Sequence, residues 1–175
     1  MARCWILVGM MGSGKTSVGR ELAHRSGRRF VDTDHLVQQQ TGMTIPEIFD
    51  TLGEEEFRLR ETEALRSLQP SDTVVATGGG IVAREENWAE MRRAGTVVFL
   101  DVPWERLAIR LRRSRFRRPL LASDDWREKL RALWEARRPL YLRADVRIEI
   151  DRQSVAEVAR MAHRALEEFE AGQVS

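Results

Sequence analysis

One cysteine and two lysines are all this chain carries of those residue types. A lone Cys4 rules out an internal disulfide and fits a reducing compartment, so a cytoplasmic location is expected. No apolar run reaches the roughly 18 residues of a membrane span, and none near the N-terminus resembles a signal-peptide core. Excess charge is also missing: the net value is +2, which gives no bulk electrostatic reason for a nucleic-acid partner. The positive charge is nearly all arginine, which makes Lys15 stand out beside the only other lysine, Lys129. What remains is an ordinary mixture, 42% hydrophobic and 32% charged over 175 residues. One domain spanning 1–175 is expected.

Lys15 sits in Gly9-Met10-Met11-Gly12-Ser13-Gly14-Lys15-Thr16. This fits G-x-x-x-x-G-K-[ST], the phosphate-binding loop. Its glycines let successive backbone N–H groups curl around an anion. Lys15 reaches the outer phosphates, Thr16 can ligate Mg²⁺, and Ser17 follows into a helix whose positive end faces the same anion. The flanks agree. Cys4 to Val8 is a continuous apolar run, read as a buried strand, and Val18, Leu22 and Ala23 mark the inner face of the helix.

Further strands are expected at 29–32, 73–77, 96–101 and 146–150, with helices between them. Thr44-Ile45-Pro46-Glu47 and Ser154-Val155-Ala156-Glu157 are capping boxes. Gly95 is expected to cap a helix over 84–93, and Pro139 to close one that starts at Asp124. The last helix is expected to reach Phe169, with a frayed tail from Ala171. Alternating strands and helices imply a three-layer α/β/α domain on a five-stranded parallel sheet.

Ligands of such sheets bind at the carboxyl ends of the strands. The phosphate loop, Asp32 and Asp34, Gly78-Gly79-Gly80 and Asp101 all leave there. Either Asp32 or Asp101 could serve a metal; an ordinary turn, and a polar residue before Pro103, are the plainer readings. Three glycines permit close approach to a ligand or make a tight turn. Arg58 lies in a charged helix and reads by default as surface. The arginine run at 112–118 could be a nucleic-acid patch, a solvated face or a phosphate-covering lid, and its place between two helices favours the lid.

The chain resembles the shikimate kinases nearly end to end. The resemblance rests on the phosphate loop, Asp32-Thr33-Asp34, Phe57-Arg58 with Glu61, Gly78-Gly79-Gly80, Arg118-Pro119-Leu120-Leu121 and Arg137-x-Pro139-Leu140-Tyr141, in that order. It implies a nucleoside-monophosphate-kinase-like P-loop fold, strand order 2-3-1-4-5, with a mobile lid at about 112–123 and substrate-binding helices at about 34–62. It implies ATP-dependent phosphorylation of the shikimate 3-hydroxyl, giving shikimate 3-phosphate and ADP on the route to chorismate and the aromatic amino acids. Lys15, Asp34 and Arg118 would be catalytic. Gly12, Ser13, Gly14, Lys15, Thr16, Ser17, Arg118 and Gln153 would bind ATP. Asp34, Arg58, Gly78, Gly79, Gly80 and Arg137 would bind shikimate, and Thr16 and Asp32 would hold Mg²⁺. The adenine-stacking residue falls at Arg110, Arg112 or Arg113, with Arg113 preferred. The segment before Arg118 is shorter and richer in arginine than the family pattern. Members are often monomers, so a monomer without nucleic-acid or membrane partners is expected.

Three other functions compete. A gluconate kinase would share the loop but not need two arginines for a carboxylate. A GTP switch would need an N-K-x-D guanine reader, which is absent. A nucleic-acid module would need more aromatics in the arginine run than Phe116.

Overall fold

The computed structural model describes residues 3–112 and 124–173. The expected lid therefore lies, Arg112 apart, outside the described residues, and so do Arg113 and Arg118.

Strands β1 (Cys4–Val8), β2 (Arg29–Asp32), β3 (Thr73–Ala76), β4 (Gly95–Asp101) and β5 (Val146–Glu149) form one sheet. Its order is β2-β3-β1-β4-β5, and every pairing is parallel. β1 and β4 are buried along their whole length, as strands covered on both faces must be. The register aligns Asp32 and Leu7 with Ala76, Val8 with Phe99 and Asp101 with Glu149. The carboxyl ends are thus level, and the connections leaving them meet.

Helices α1 (Lys15–Ser26), α2 (Thr33–Thr41), α3 (Ile45–Thr51), α4 (Gly53–Ser67) and α5 (Glu85–Ala94) fill the first half, and α6 (Trp104–Arg112), α7 (Trp126–Tyr141) and α8 (Val155–Gln173) the second. The main core joins β1, β3, β4 and β5 to α1, α5, α6, α7 and α8. Trp5 at its edge keeps its indole N–H satisfied by donating to Glu170 at 2.7 Å. A second, smaller core gathers Val37, Ile48, Phe57 and Ala64 beneath α2, α3 and α4. Val37, Ile48 and Phe57 are each worth about 1.5–3 kcal/mol when buried, so these three helices hold together as a unit beside the sheet.

Both capping boxes form. Thr44 Oγ1 accepts from the Glu47 amide at 3.4 Å and Glu47 takes the Thr44 amide at 2.7 Å. The Ser154–Glu157 pair repeats this at 3.3 and 2.8 Å. Three boundaries differ from expectation. Gly95 does cap α5, its amide donating to the Met91 carbonyl, but it is extended at φ 178 and also begins β4. Glycine is required there because a Cβ would overlap the Cys4 carbonyl. α8 runs to Gln173 rather than fraying at Ala171. α7 passes through Pro139 to Tyr141. Proline has no amide hydrogen for the carbonyl four residues back, so this last turn holds with one helical bond fewer.

Candidate active site

The phosphate loop crosses from β1 to α1. Gly14 occupies the N-cap in the left-handed region at φ 94, with no side chain capping the helix. The first amides of α1 therefore stay open to an anion. Lys15 is nearly buried; its Nζ donates to the Gly9 carbonyl at 2.8 Å and the Met10 carbonyl at 3.1 Å. A cavity of about 340 Å³ opens above, lined by Met11, Gly12, Gly14, Lys15, Thr16, Ser17, Asp32, Asp34, Thr77, Gly78 and Gly79. Three chain segments distant in sequence thus share one cleft.

Asp32 caps α2. Its Oδ1 accepts the Asp34 amide at 3.0 Å, and its Oδ2 accepts the Thr16 hydroxyl at 2.9 Å. Asp101 is otherwise engaged. It is 5% exposed, and its Oδ2 accepts from Arg138 at 2.9 Å and from Arg147 Nε at 2.8 Å. The two arginines fix α7 and β5 to the end of β4, so Asp101 is spent on structure. Among the described residues no three His, Cys, Asp or Glu side chains cluster as a metal cage would require.

Each glycine of the 78–80 turn faces a different neighbour. A Cβ on Gly78 would overlap Glu61 Oε1 and lie 3.1 Å from Asp34 Oδ1. One on Gly79 would meet the Met11 amide at 3.3 Å, and one on Gly80 would lie 2.7 Å from Arg58 Cζ. The turn therefore packs at once on the phosphate loop, the acidic pair and a guanidinium. A plain tight turn would not need all three.

Arg58 is half-buried, and Glu61 is 1% exposed. The expected surface face of α4 is thus turned inward at these two residues, while Arg60 and Glu56 keep the solvated pairing. Arg58 Nη1 donates to Glu61 Oε2 at 2.5 Å and Nη2 to Glu54 Oε1 at 3.1 Å. Burial opposes the Arg58 charge, but Glu61 and Glu54 outweigh it and hold the guanidinium above its ordinary value. Burial pushes the Glu61 carboxyl up; Arg58 pulls it back, Asp34 adds to the rise and Arg137 opposes it. Arg137, half-buried on α7, therefore reaches the same cluster from the other side of the cleft.

Two hydroxyls of the site were not evident from motifs. Thr77 Oγ1 donates to the Leu7 carbonyl at 2.9 Å, and Thr33 Oγ1 takes the Gly78 amide at 3.3 Å, so two hydroxyls fix the strand ends beneath the cleft. Arg110 donates to the Gly12 and Ser13 carbonyls at 3.1 and 3.3 Å, bracing the phosphate loop from α6. Burial lowers its pKa, with Arg106 adding to the effect. Gln153 does not line the phosphate cavity. It lines a second one of about 550 Å³, with Asp101, Pro103, Trp134, Arg138 and Arg147 among its walls.

A family description reading shikimate kinase matches residues 11–167. The chain belongs to the shikimate kinase family. A shikimate kinase of Symbiobacterium thermophilum is 49% identical over 166 residues, covering 93% of this chain and 95% of that protein. The solved structure of a shikimate kinase from Acinetobacter baumannii in complex with shikimate is 38% identical, with a TM-score of 0.90 over 100% of this chain and 97% of that one. A gluconokinase from Sinorhizobium meliloti, at 19% identity and a TM-score of 0.57 over 98% of this chain and 95% of that one, shares the fold alone. The shikimate kinase assignment makes this chain an ATP-dependent phosphotransferase acting on an alcohol, and it sets the gluconate reading aside.

Proposed function

We propose that the chain transfers the ATP γ-phosphoryl group to the 3-hydroxyl of shikimate in the cleft between the phosphate loop and the glycine turn. One observation carries the reading: Asp34 lines the cavity that Lys15 also lines, and Arg58, Glu61 and Arg137 act on one another beside the same glycines. A small carboxylic acid with hydroxyl groups is the substrate such a cluster suits. Guanidinium forks bind carboxylates in pairs of hydrogen bonds.

The amides of Gly12 and Gly14 and the helix start at Thr16 and Ser17 cradle the phosphates, with Ser13, whose amide donates to the Met10 carbonyl at 3.1 Å, between them. Lys15 exchanges the Gly9 and Met10 carbonyls for phosphate oxygens, bringing its charge onto the transferring group. Arg58, held by Glu61, and Arg137 grip the shikimate carboxylate. Gly78, Gly79 and Gly80 supply a surface without side chains on which the ring can lie. Asp34 takes a hydrogen bond from the acceptor hydroxyl and receives its proton as the new bond forms. Thr16 and Asp32 are hard oxygen donors already in contact beside the loop, which fits Mg²⁺ bound with substrate phosphates. When bound, the ion neutralises charge on those phosphates.

Arg118, as a further cation on the phosphates, and Gln153, near the adenine, are assigned from their motifs alone. The same holds for a single domain with a lid at about 112–123 and substrate-binding helices at about 34–62. A monomer in the cytoplasm is in keeping with the single buried cysteine and with helices none of which, among the described residues, is long and apolar enough to cross a membrane. The test is ADP release measured side by side with shikimate, gluconate and nucleoside monophosphates. Turnover should require shikimate; comparable rates with gluconate would overturn the substrate assignment.

A further inference from the structure

Tyr141 is the only tyrosine of the chain, and it is 1% exposed. Its ring stacks on Phe99 of β4, centroids 5.1 Å apart and planes 19° off parallel. Its hydroxyl donates to the Gly79 carbonyl at 2.5 Å and lies 3.9 Å from Met10 Sδ. Because α7 continues through Pro139, Tyr141 stands one turn beyond Arg137, and residues four apart share a helix face. The two side chains interact: burial pushes the phenol up to about 12, and the Arg137 guanidinium, in charge and hydrogen-bonding contact with it, opposes the rise. The phenol is thus a neutral donor throughout the working range. One hydroxyl therefore touches the glycine turn, the phosphate loop and the neighbourhood of Arg137.

We propose that Tyr141 is a positioning residue of the shikimate site: its hydroxyl fixes the glycine turn at Gly79 against Arg137, so that both meet the substrate in register. This rests on the assignment of Arg137 and Gly79 to shikimate made above. A purely packing role would need the ring alone. A buried hydroxyl is instead costly unless its bond is made, and here the bond goes to the turn that faces the substrate.

The test is Tyr141→Phe, which keeps the ring on Phe99 and removes only the hydroxyl. The KM for shikimate should rise about five- to tenfold, the loss of one neutral hydrogen bond, while the KM for ATP stays within about twofold. In an Arg137→Ala background the same change should add less than about twofold, because residues acting as one unit are not additive. A folded Tyr141→Phe enzyme with an unchanged KM for shikimate, or with both KM values raised equally, overturns the proposal. Should Arg137→Ala itself leave the KM for shikimate unaltered, the clamp reading fails and the proposal falls with it. Should Arg137→Ala raise it and Tyr141→Phe not, the proposal alone fails. Wild-type enzyme gives an arm independent of folding. With ring-¹³C tyrosine, the single Cζ resonance should shift on adding shikimate and stay in place on adding ADP alone; a resonance indifferent to shikimate overturns the proposal.

Discussion

The Thr16 hydroxyl donates to Asp32 Oδ2 at 2.9 Å, tying the start of α1 to the end of β2. Two oxygen ligands of the right hardness therefore stand together before any ion arrives. The same Asp32 caps α2. Asp32→Ala should thus do two separable things. Loss of the cap should cost about 1 kcal/mol of stability. Loss of the carboxylate should raise the Mg²⁺ concentration needed for half-maximal turnover by about tenfold, if it is worth one charged hydrogen bond. Magnesium titration at fixed ATP, beside a thermal melt, separates them. An unaltered magnesium curve in a destabilised enzyme would leave Asp32 with its capping role only.

Lys15 is held on the Gly9 and Met10 carbonyls at 2.8 and 3.1 Å. Those bonds serve the loop, whereas the charge serves the phosphate. Lys15→Met keeps the stem and removes the charge. Turnover should fall by about 10²-fold or more, with a melting temperature near that of the wild type. Near-normal kcat in a folded variant would remove the phosphate-loop assignment.

Much of this was legible in the residues. The loop is a fixed spacing of glycines and a lysine, and buried parallel strands betray themselves as apolar runs. Capping boxes are local chemistry, so both were readable. What escaped was decided by distant neighbours. Gly95 was readable as a helix cap, and it is one, but what requires a glycine there is the Cys4 carbonyl ninety-odd positions earlier. Glu61 sits in a run of charges, and only the packing of α4 against the glycine turn reveals it as buried. Pro139 looked like a helix end, which hid the one-turn relation between Arg137 and Tyr141. Asp101 ends an apolar strand just as a metal-binding aspartate would, and only the arrival of Arg138 and Arg147 distinguishes it.

Asp101 yields a prediction about stability rather than chemistry. Its carboxylate is nearly buried, whereas Arg138 and Arg147 are 30% and 41% exposed. Water can therefore take up part of the freed charge, and the loss should fall below the roughly 3–5 kcal/mol of a fully buried pair. Asp101→Asn should cost about 1–3 kcal/mol and lower the melting temperature by several degrees. Its magnesium dependence should match the wild type. A shifted magnesium curve with an unshifted melt would return Asp101 to the metal site.

Arg58→Ala removes one arm of the clamp and also strips Glu61 of the cation at 2.5 Å. Binding of shikimate should weaken by roughly 10- to 150-fold, the loss of about 1.5–3 kcal/mol for a charged hydrogen bond, while ATP binding changes little. Calorimetry with each ligand checks this. Equal losses for both would point to a folding defect instead.

Glu61→Gln should reveal its role through pH. Burial raises the Glu61 pKa above the ordinary carboxylate value. A group raised on folding contributes stability that is complete below its unfolded pKa, about 4.3, and that is lost as pH climbs through the folded value. Glutamine cannot titrate, so the melting-temperature advantage of the wild type over Glu61→Gln should be greatest in acid and shrink as pH rises. Melts of both proteins from about pH 4 to about pH 8 give the difference directly. Groups remote from the cluster titrate alike in both and cancel. Those facing Glu61 are Arg58, Asp34, Arg137 and Tyr141, the same in both proteins. A difference that grows with pH would mean that Arg58 and Arg137 outweigh burial and hold Glu61 ionised. In that case its KM effect should follow the charge: Glu61→Gln keeps an acceptor for Arg58 but gives up the charge-assisted bond, about 1 kcal/mol or fivefold in the KM for shikimate, and that penalty should persist to acid pH instead of fading there.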